Sequence, residues 1–266
     1  GIAFGAGGAR GLAHVHVALA LDDLGIRPDV IAGCSMGSLV GALVASGMSG
    51  EELKGHVLAS AGGYGRLASR LWSTIRGLRA PGIVGLPRLE RILPAFLPSE
   101  MVGEIEALQV PFAAVACDFY SGEPHVFRSG PLLQAICASS AIPGVFRPVT
   151  VDGSVLVDGG VVNPVPVDLL PDADVRLAVD VVGLPVNRGV LPGAVESAYG
   201  ASQLFQGTVA RLRYAVTPPH VLIKPPVSDV KPLDFARTRA ILDATASTRE
   251  DAKRAISEAI EGATRT

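Results

Sequence analysis

Aromatic residues make up only 5% of this 266-residue chain, and there are just three Cys. Cys34, Cys117 and Cys137 show no metal-ligand spacing and leave one thiol over in any disulfide scheme, so a reduced compartment is expected. No run approaches the roughly 18–20 apolar residues that a spanning helix needs. A formal charge of −2 gives no general attraction to nucleic acid. The phosphate-cradling pattern G-x-x-x-x-G-K-[ST] is missing as well. No signal peptide is visible, and the chain opens without Met on "GIAF", inside a strand, as an excised domain would. A targeting segment upstream is therefore left open, with a cytoplasmic or peripheral-membrane location as the expectation.

What is abundant is small or aliphatic: 48% of residues are hydrophobic, with 31 Gly and 20 Pro. That composition predicts short buried strands joined by tight loops. Strand and helix patterns alternate with no repeat and no linker, which predicts one α/β domain over 1–266, a mostly parallel sheet between two helical layers. Helices are expected from Gly11 to Leu24, after the elbow at Cys34–Ser35, and at 131–140, 194–215 and 234–262. Ser49 and Glu52 form a capping-box signature for another helix. "VPFAAVACDFY" and "PHVFRS" read as a hairpin.

Two glycine-rich stretches carry chemistry. "GAGGARG", residues 5–11, follows a strand and opens a helix, which fits either a dinucleotide fingerprint or a set of free backbone N–H donors. A dinucleotide site needs an acidic residue at the end of the second strand, yet Asp29 begins that strand and Ser35 ends it. The donor reading places Gly7, Gly8 and Arg10 around an oxyanion, provided strands one and two are neighbours.

"GCSMG", residues 33–37, is the G-x-S-x-G turn that presents a serine hydroxyl; Cys34 beside it is read as packing. Ser35 needs a base. Of five His, His14 and His16 lie in the first helix, His56 in a polar helix and His125 in a hairpin strand. His220 would complete the chain order Ser35, Asp158, His220, but it opens the strand "HVLIK" instead of following a last strand. Asp158, at the carboxyl end of "VLVDGG", is the other candidate, acting directly once burial raises its basicity.

Together "GAGGARG", "GCSMG" and "VDGGVVNPVP" resemble the patatin-like phospholipases, as do "GLAHVHVALALDDLGI", "PDVIAGCSMGSLVGALVASG", "SSAIPGVFRPV" and "ADVRLAVDV". The resemblance implies a three-layer α/β fold and a Ser35–Asp158 dyad, with Gly7, Gly8 and Arg10 in the oxyanion loop. It implies no catalytic His, metal or cofactor, and a phospholipid or lysophospholipid as substrate. Ala6 departs from the glycine found in many members. The alternatives are a soluble carboxylesterase or acyltransferase, or a lipid-binding or regulatory protein.

Residues 64–91 hold six Arg and one acidic residue. As a helix they would align Leu67, Leu71, Ile75 and Leu78, with Trp72 beside the stripe and Arg66, Arg70 and Arg76 off it. Such a segment suits contact with an anionic membrane, or equally a helix packed on the sheet with solvated Arg. A lid over 64–100 is the corresponding expectation. Oligomeric state has no signal in the sequence.

Overall fold

The computed structural model of the chain describes residues 1–60, 86–98, 101, 103–170, 173–187 and 189–263. Residues 64–85 of the Arg-rich segment, with Arg66, Arg70, Trp72 and Arg76, lie outside the described residues.

The strands are β1 (Ile2–Phe4), β2 (Ile31–Cys34), β3 (Phe112–Asp118), β4 (Pro124–Phe127), β5 (Val149–Val151), β6 (Ser154–Asp158), β7 (Leu177–Val179) and β8 (Val221–Ile223). Five run parallel in the order β3-β2-β1-β7-β8. The other three extend the sheet antiparallel, β4 and β6 on β3 and β5 on β6. The sheet is thus mixed and mostly parallel, flanked by helices, as the sequence predicts.

Alternation of large and small side chains sets the thickness of the layers. Ala3, Ala32, Ala113 and Ala178 stand in register across four strands. On that face Val165, Val167 and Leu170 close directly over the alanines, joined by Tyr214 of the long helix Ala194–Val216. Ile2, Phe4, Ile31, Phe112 and Val179 project from the other face into a larger core. Bulky strand side chains fill the grooves between helices, whereas a row of alanines lets backbone approach the sheet.

The helices are α1 (His14–Asp23), α2 (Met36–Ala45), α3 over residues 50–60, α4 (Leu132–Ser139), α5 (Ala194–Val216), α6 (Thr238–Ala244) and α7 (Thr248–Ala263). The expected first helix begins as a 3₁₀ turn, Gly8–Ala13, and ends with Gly25 left-handed at φ 64°. Ser49 and Glu52 form the capping box that starts α3: the Ser49 N–H donates to Glu52 Oε2 at 2.9 Å, and the Glu52 N–H donates to Ser49 Oγ at 3.3 Å. The helix expected over 234–262 is broken into a 3₁₀ turn, α6 and α7. At the break Thr245, the residue after α6, gives both its N–H (3.1 Å) and its Oγ1 (2.8 Å) to Ile241 O. Beyond it α7 is tied to the end of α1 by Arg249, which donates to both Asp23 oxygens at 2.8 and 2.6 Å.

Candidate active site

β3 brings the two halves of the site together. Ala114 and Val115 pair with β2 on one side and β4 on the other, and Ala116 and Cys117 pair with β6 and β4. β2 and β6 therefore share the edge of β3 opposite β4. Cys34 lies across from Val115, and Asp158 across from Ala116, the next residue along. Because β6 is antiparallel, its last residue arrives head-on at the end of β2. Asp158 does close its strand, as the sequence suggested, and it descends onto the elbow from above.

At that junction Ser35 is forced into a left-handed backbone, φ 55° and ψ −123°, between β2 and the first turn of α2. A non-glycine residue there is strained by about 1–3 kcal/mol, which the surrounding structure must hold. A Cβ at Gly37 would overlap the Phe4 carbonyl oxygen, so only glycine lets α2 start this close to β1. The Ser35 N–H donates to Ser139 Oγ at 2.9 Å, and Ser139 Oγ donates in turn to Val115 O at 2.6 Å. Ser38 Oγ donates to Ser35 O at 2.7 Å. The serine backbone is pinned on both sides.

Ser35 Oγ donates to Asp158 Oδ2 at 2.6 Å. Both are buried, with 4% and 7% of their surfaces exposed. The other carboxylate oxygen, Oδ1, accepts the Gly160 N–H at 2.8 Å, which fixes the carboxyl plane. Burial pushes the Asp158 carboxyl up to about 6, against the smaller opposing pull of the bonds from Ser35 and Gly160. An aspartate in that range is a far better proton acceptor near neutrality than an ordinary one.

The Gly-rich loop lies beside this pair because β1 pairs directly with β2. Ala6 Cβ stands 3.3 Å from where a side chain on Gly160 would begin, and Gly11 abuts Met36 of α2. Within the loop, Gly5 N–H donates to Val179 O, Ala6 N–H to Pro164 O, and Ala9 N–H to Pro232 O. The Arg10 N–H donates to Gly7 O at 3.2 Å, within the 3₁₀ turn. The N–H groups of Gly7 and Gly8 have no hydrogen-bond partner among the described residues. Of the three expected donors, the structure leaves these two amides open and engages the third. The Arg10 side chain is itself buried, which the sequence did not foretell.

None of the five histidines is bonded to Ser35 or Asp158. His220 precedes β8 at the amino end of the sheet, opposite the elbow, and its Nδ1 accepts the Arg176 N–H at 2.9 Å. His14 Nε2 is 2.9 Å from Gly5 O and His16 Nε2 is 2.9 Å from Leu242 O. His125 sits in β4 against Phe127, and His56 is in α3. Cys34 is wholly buried, and burial, with Asp158 adding to it, raises its thiol well above the ordinary range. It is therefore a packing residue. Among the described residues no cluster of His, Cys, Asp and Glu could hold a metal ion, and no helix is long and apolar enough to cross a membrane. Ser139 and Ser38 are the supporting residues that sequence reasoning missed. Ser139 lies in the "SSAIPGVF" block, whose pattern gives no hint that it reaches Ser35.

Comparison with known proteins places the chain in a family. The family model for patatin-like phospholipases matches residues 2–171. The chain is 40% identical over 189 residues to an uncharacterized NTE family protein of Mycobacterium tuberculosis, covering 68% of this chain and 49% of that protein. It is 32% identical over 192 residues to a lysophospholipase of Aspergillus fumigatus, covering 70% of this chain and 12% of that protein. Thus it spans about half the length of the mycobacterial relative and a small part of the fungal one. Among solved structures, VipD from Legionella pneumophila aligns over 92% of this chain and 66% of its own, at 13% identity and a TM-score of 0.43. With the family model covering most of the chain, from the Gly-rich loop through the Asp158 turn, the protein belongs to the patatin-like phospholipase family.

Proposed function

We propose that this domain is a lipid acyl hydrolase, of phospholipase A or lysophospholipase type, that works through a Ser35–Asp158 dyad and an acyl-enzyme. The observation that carries the reading is the 2.6 Å bond from Ser35 Oγ to a buried carboxylate at a strained elbow. Ser35 Oγ attacks the ester carbonyl while its proton passes to Asp158 Oδ2. The N–H groups of Gly7 and Gly8 take the developing oxyanion, the role that the resemblance also gives to Arg10. Collapse breaks the bond to the leaving alcohol, which receives the proton from Asp158. Water then attacks the acyl-enzyme, gives its proton to Asp158, and the bond to Oγ breaks as that proton returns to Ser35.

A lipid ester, in preference to a soluble one, is favoured by the surface around this end of the sheet. Phe119 and Tyr120 follow β3, Val161 follows the Asp158 turn, and Leu184, Val190 and Leu191 follow β7. All six are exposed, Tyr120 to 81% and Leu191 to 95%. Large apolar side chains left in water around a site mark it for contact with an apolar partner. The test is fatty-acid release from lysophospholipid micelles and anionic phospholipid vesicles by the parent chain and Ser35→Ala. Release is expected from the parent, with a loss of at least about a thousandfold in the variant, by analogy with removing a triad member. Hydrolysis confined to short soluble esters would assign the domain to carboxylesterases, and no hydrolysis of either would assign it a binding role.

A further inference from the structure

We propose that Arg10 is a positioning residue whose guanidinium clamps two separate loops onto the Gly-rich turn and so sets the direction of the Gly7 and Gly8 N–H groups. This rests on the proposed acyl transfer, in which those amides receive the oxyanion. Arg10 is 3% exposed, and its side chain points away from solvent into the fold. Its Nε donates to Val230 O at 2.6 Å, and its Nη1 donates to Val182 O. The Tyr199 ring of α5 lies 5.7 Å from the guanidinium carbon. Val182 comes from the loop after β7 and Val230 from the loop after β8, so one side chain bridges two crossovers at the same end of the sheet.

Those two loops are what the donor glycines rest on. A Cβ at Gly7 would lie 2.8 Å from Val181 O, next to the carbonyl that Arg10 holds. Gly8, left-handed at φ 57°, is so close to Pro232 that a Cβ there would overlap its carbonyl oxygen, and that oxygen accepts the Ala9 N–H at 2.7 Å. The amides are thus wedged between residues 181–183 and 230–232, and Arg10 ties both walls to the turn it belongs to. Gln203 of α5 supplies a second, longer bond to Val182 O at 3.3 Å. A planar guanidinium reaches two carbonyls lying in different directions; an ammonium on a flexible stem does not hold both in fixed geometry. Since an error of about 1 Å in a catalytic group can cost about a hundredfold in rate, the fork matters for chemistry as well as for folding.

The experiment compares the parent chain with Arg10→Lys, Arg10→Met and Gln203→Leu on a soluble aryl ester and its thionoester, which places sulfur where the oxyanion would form. Circular dichroism and thermal melting establish that each variant is folded. Arg10→Lys and Arg10→Met are expected to lower kcat by about 10- to 100-fold with KM nearly constant, and to shrink the ester-to-thionoester rate ratio. Gln203→Leu, which leaves Arg10 in place, is expected to shrink the same ratio by less. A rise in KM at constant kcat would instead make Arg10 a substrate-binding group and overturn the proposal. So would a fall in kcat with the ratio unchanged. If the Arg10 variants do not fold, an unchanged ratio in Gln203→Leu refutes it. Ser35→Ala separates the two layers: hydrolysis surviving in that variant defeats the dyad itself, whereas an inactive Ser35→Ala beside a normal Arg10→Lys defeats only the clamp.

Discussion

Replacing Asp158 with Asn should stabilise the protein while abolishing its proposed chemistry. The carboxyl is nearly sealed from water and held at about 6, where a free aspartate titrates near 3.8. In the unfolded chain the group ionises at the lower value, so between these two pH values the folded state binds more protons and stability falls as pH rises. At about 1.4 kcal/mol per pH unit, the penalty reaches about 3 kcal/mol above pH 6. Asn carries no charge to desolvate. Its Oδ1 can keep the bond from the Gly160 N–H, and its Nδ2 can donate to Ser35 Oγ, which then accepts. Urea unfolding of parent and variant at pH 8, 6 and 4 measures the difference directly. The variant should be more stable by about 3 kcal/mol at pH 8, with the gain shrinking below about 1 kcal/mol at pH 4. A variant less stable than the parent at pH 8, or a gain independent of pH, would refute the claim that desolvated charge sets the energetics here.

The same carboxyl should govern rate: log kcat/KM is expected to rise up to about pH 6 and level off above it, as a base with that value requires. A profile that breaks a full unit or more away would point to another base. Ser139→Ala removes the acceptor of the Ser35 N–H and the donor to Val115 O, and should cost about 1–3 kcal/mol in urea unfolding together with a fall in kcat. His14 is held down to about 4 by burial, so its neutral form belongs to the fold, and stability should decline on acidification from pH 6.5 toward 4. His14→Gln should flatten that part of the unfolding profile. His220→Ala should leave kcat/KM nearly unchanged, since the residue sits at the opposite end of the sheet.

The parts of the site legible in the sequence were those imposed locally. Gly37 and Ser35 reveal an elbow because a strand turning at once into a helix admits few residue types. Asp158 was legible as a candidate, but its approach to Ser35 depends on β6 running antiparallel and taking over the edge of β3 where β2 stops. No periodicity encodes that register. Ser139 lies 104 residues from Ser35, and a serine in a helix carries no mark of its partner. The Arg10 guanidinium was hidden differently: a charged residue in a loop reads as solvated until the fold supplies carbonyls from residues 182 and 230. The break between α6 and α7 was missed because no glycine or proline in 238–263 marks a stop before Gly262, and the turn at Thr245 depends on the packing of the folded chain.

The most direct test of the central claim is to trap the acyl-enzyme. The protein is mixed with a lysophospholipid, quenched in acid within the first turnovers, digested and analysed by mass spectrometry. The fatty acyl group is expected esterified to Ser35 in the peptide bearing "GCSMG", with no adduct in Ser35→Ala. Turnover of the same lipid by Ser35→Ala, or an acyl group found on any other residue, would contradict it.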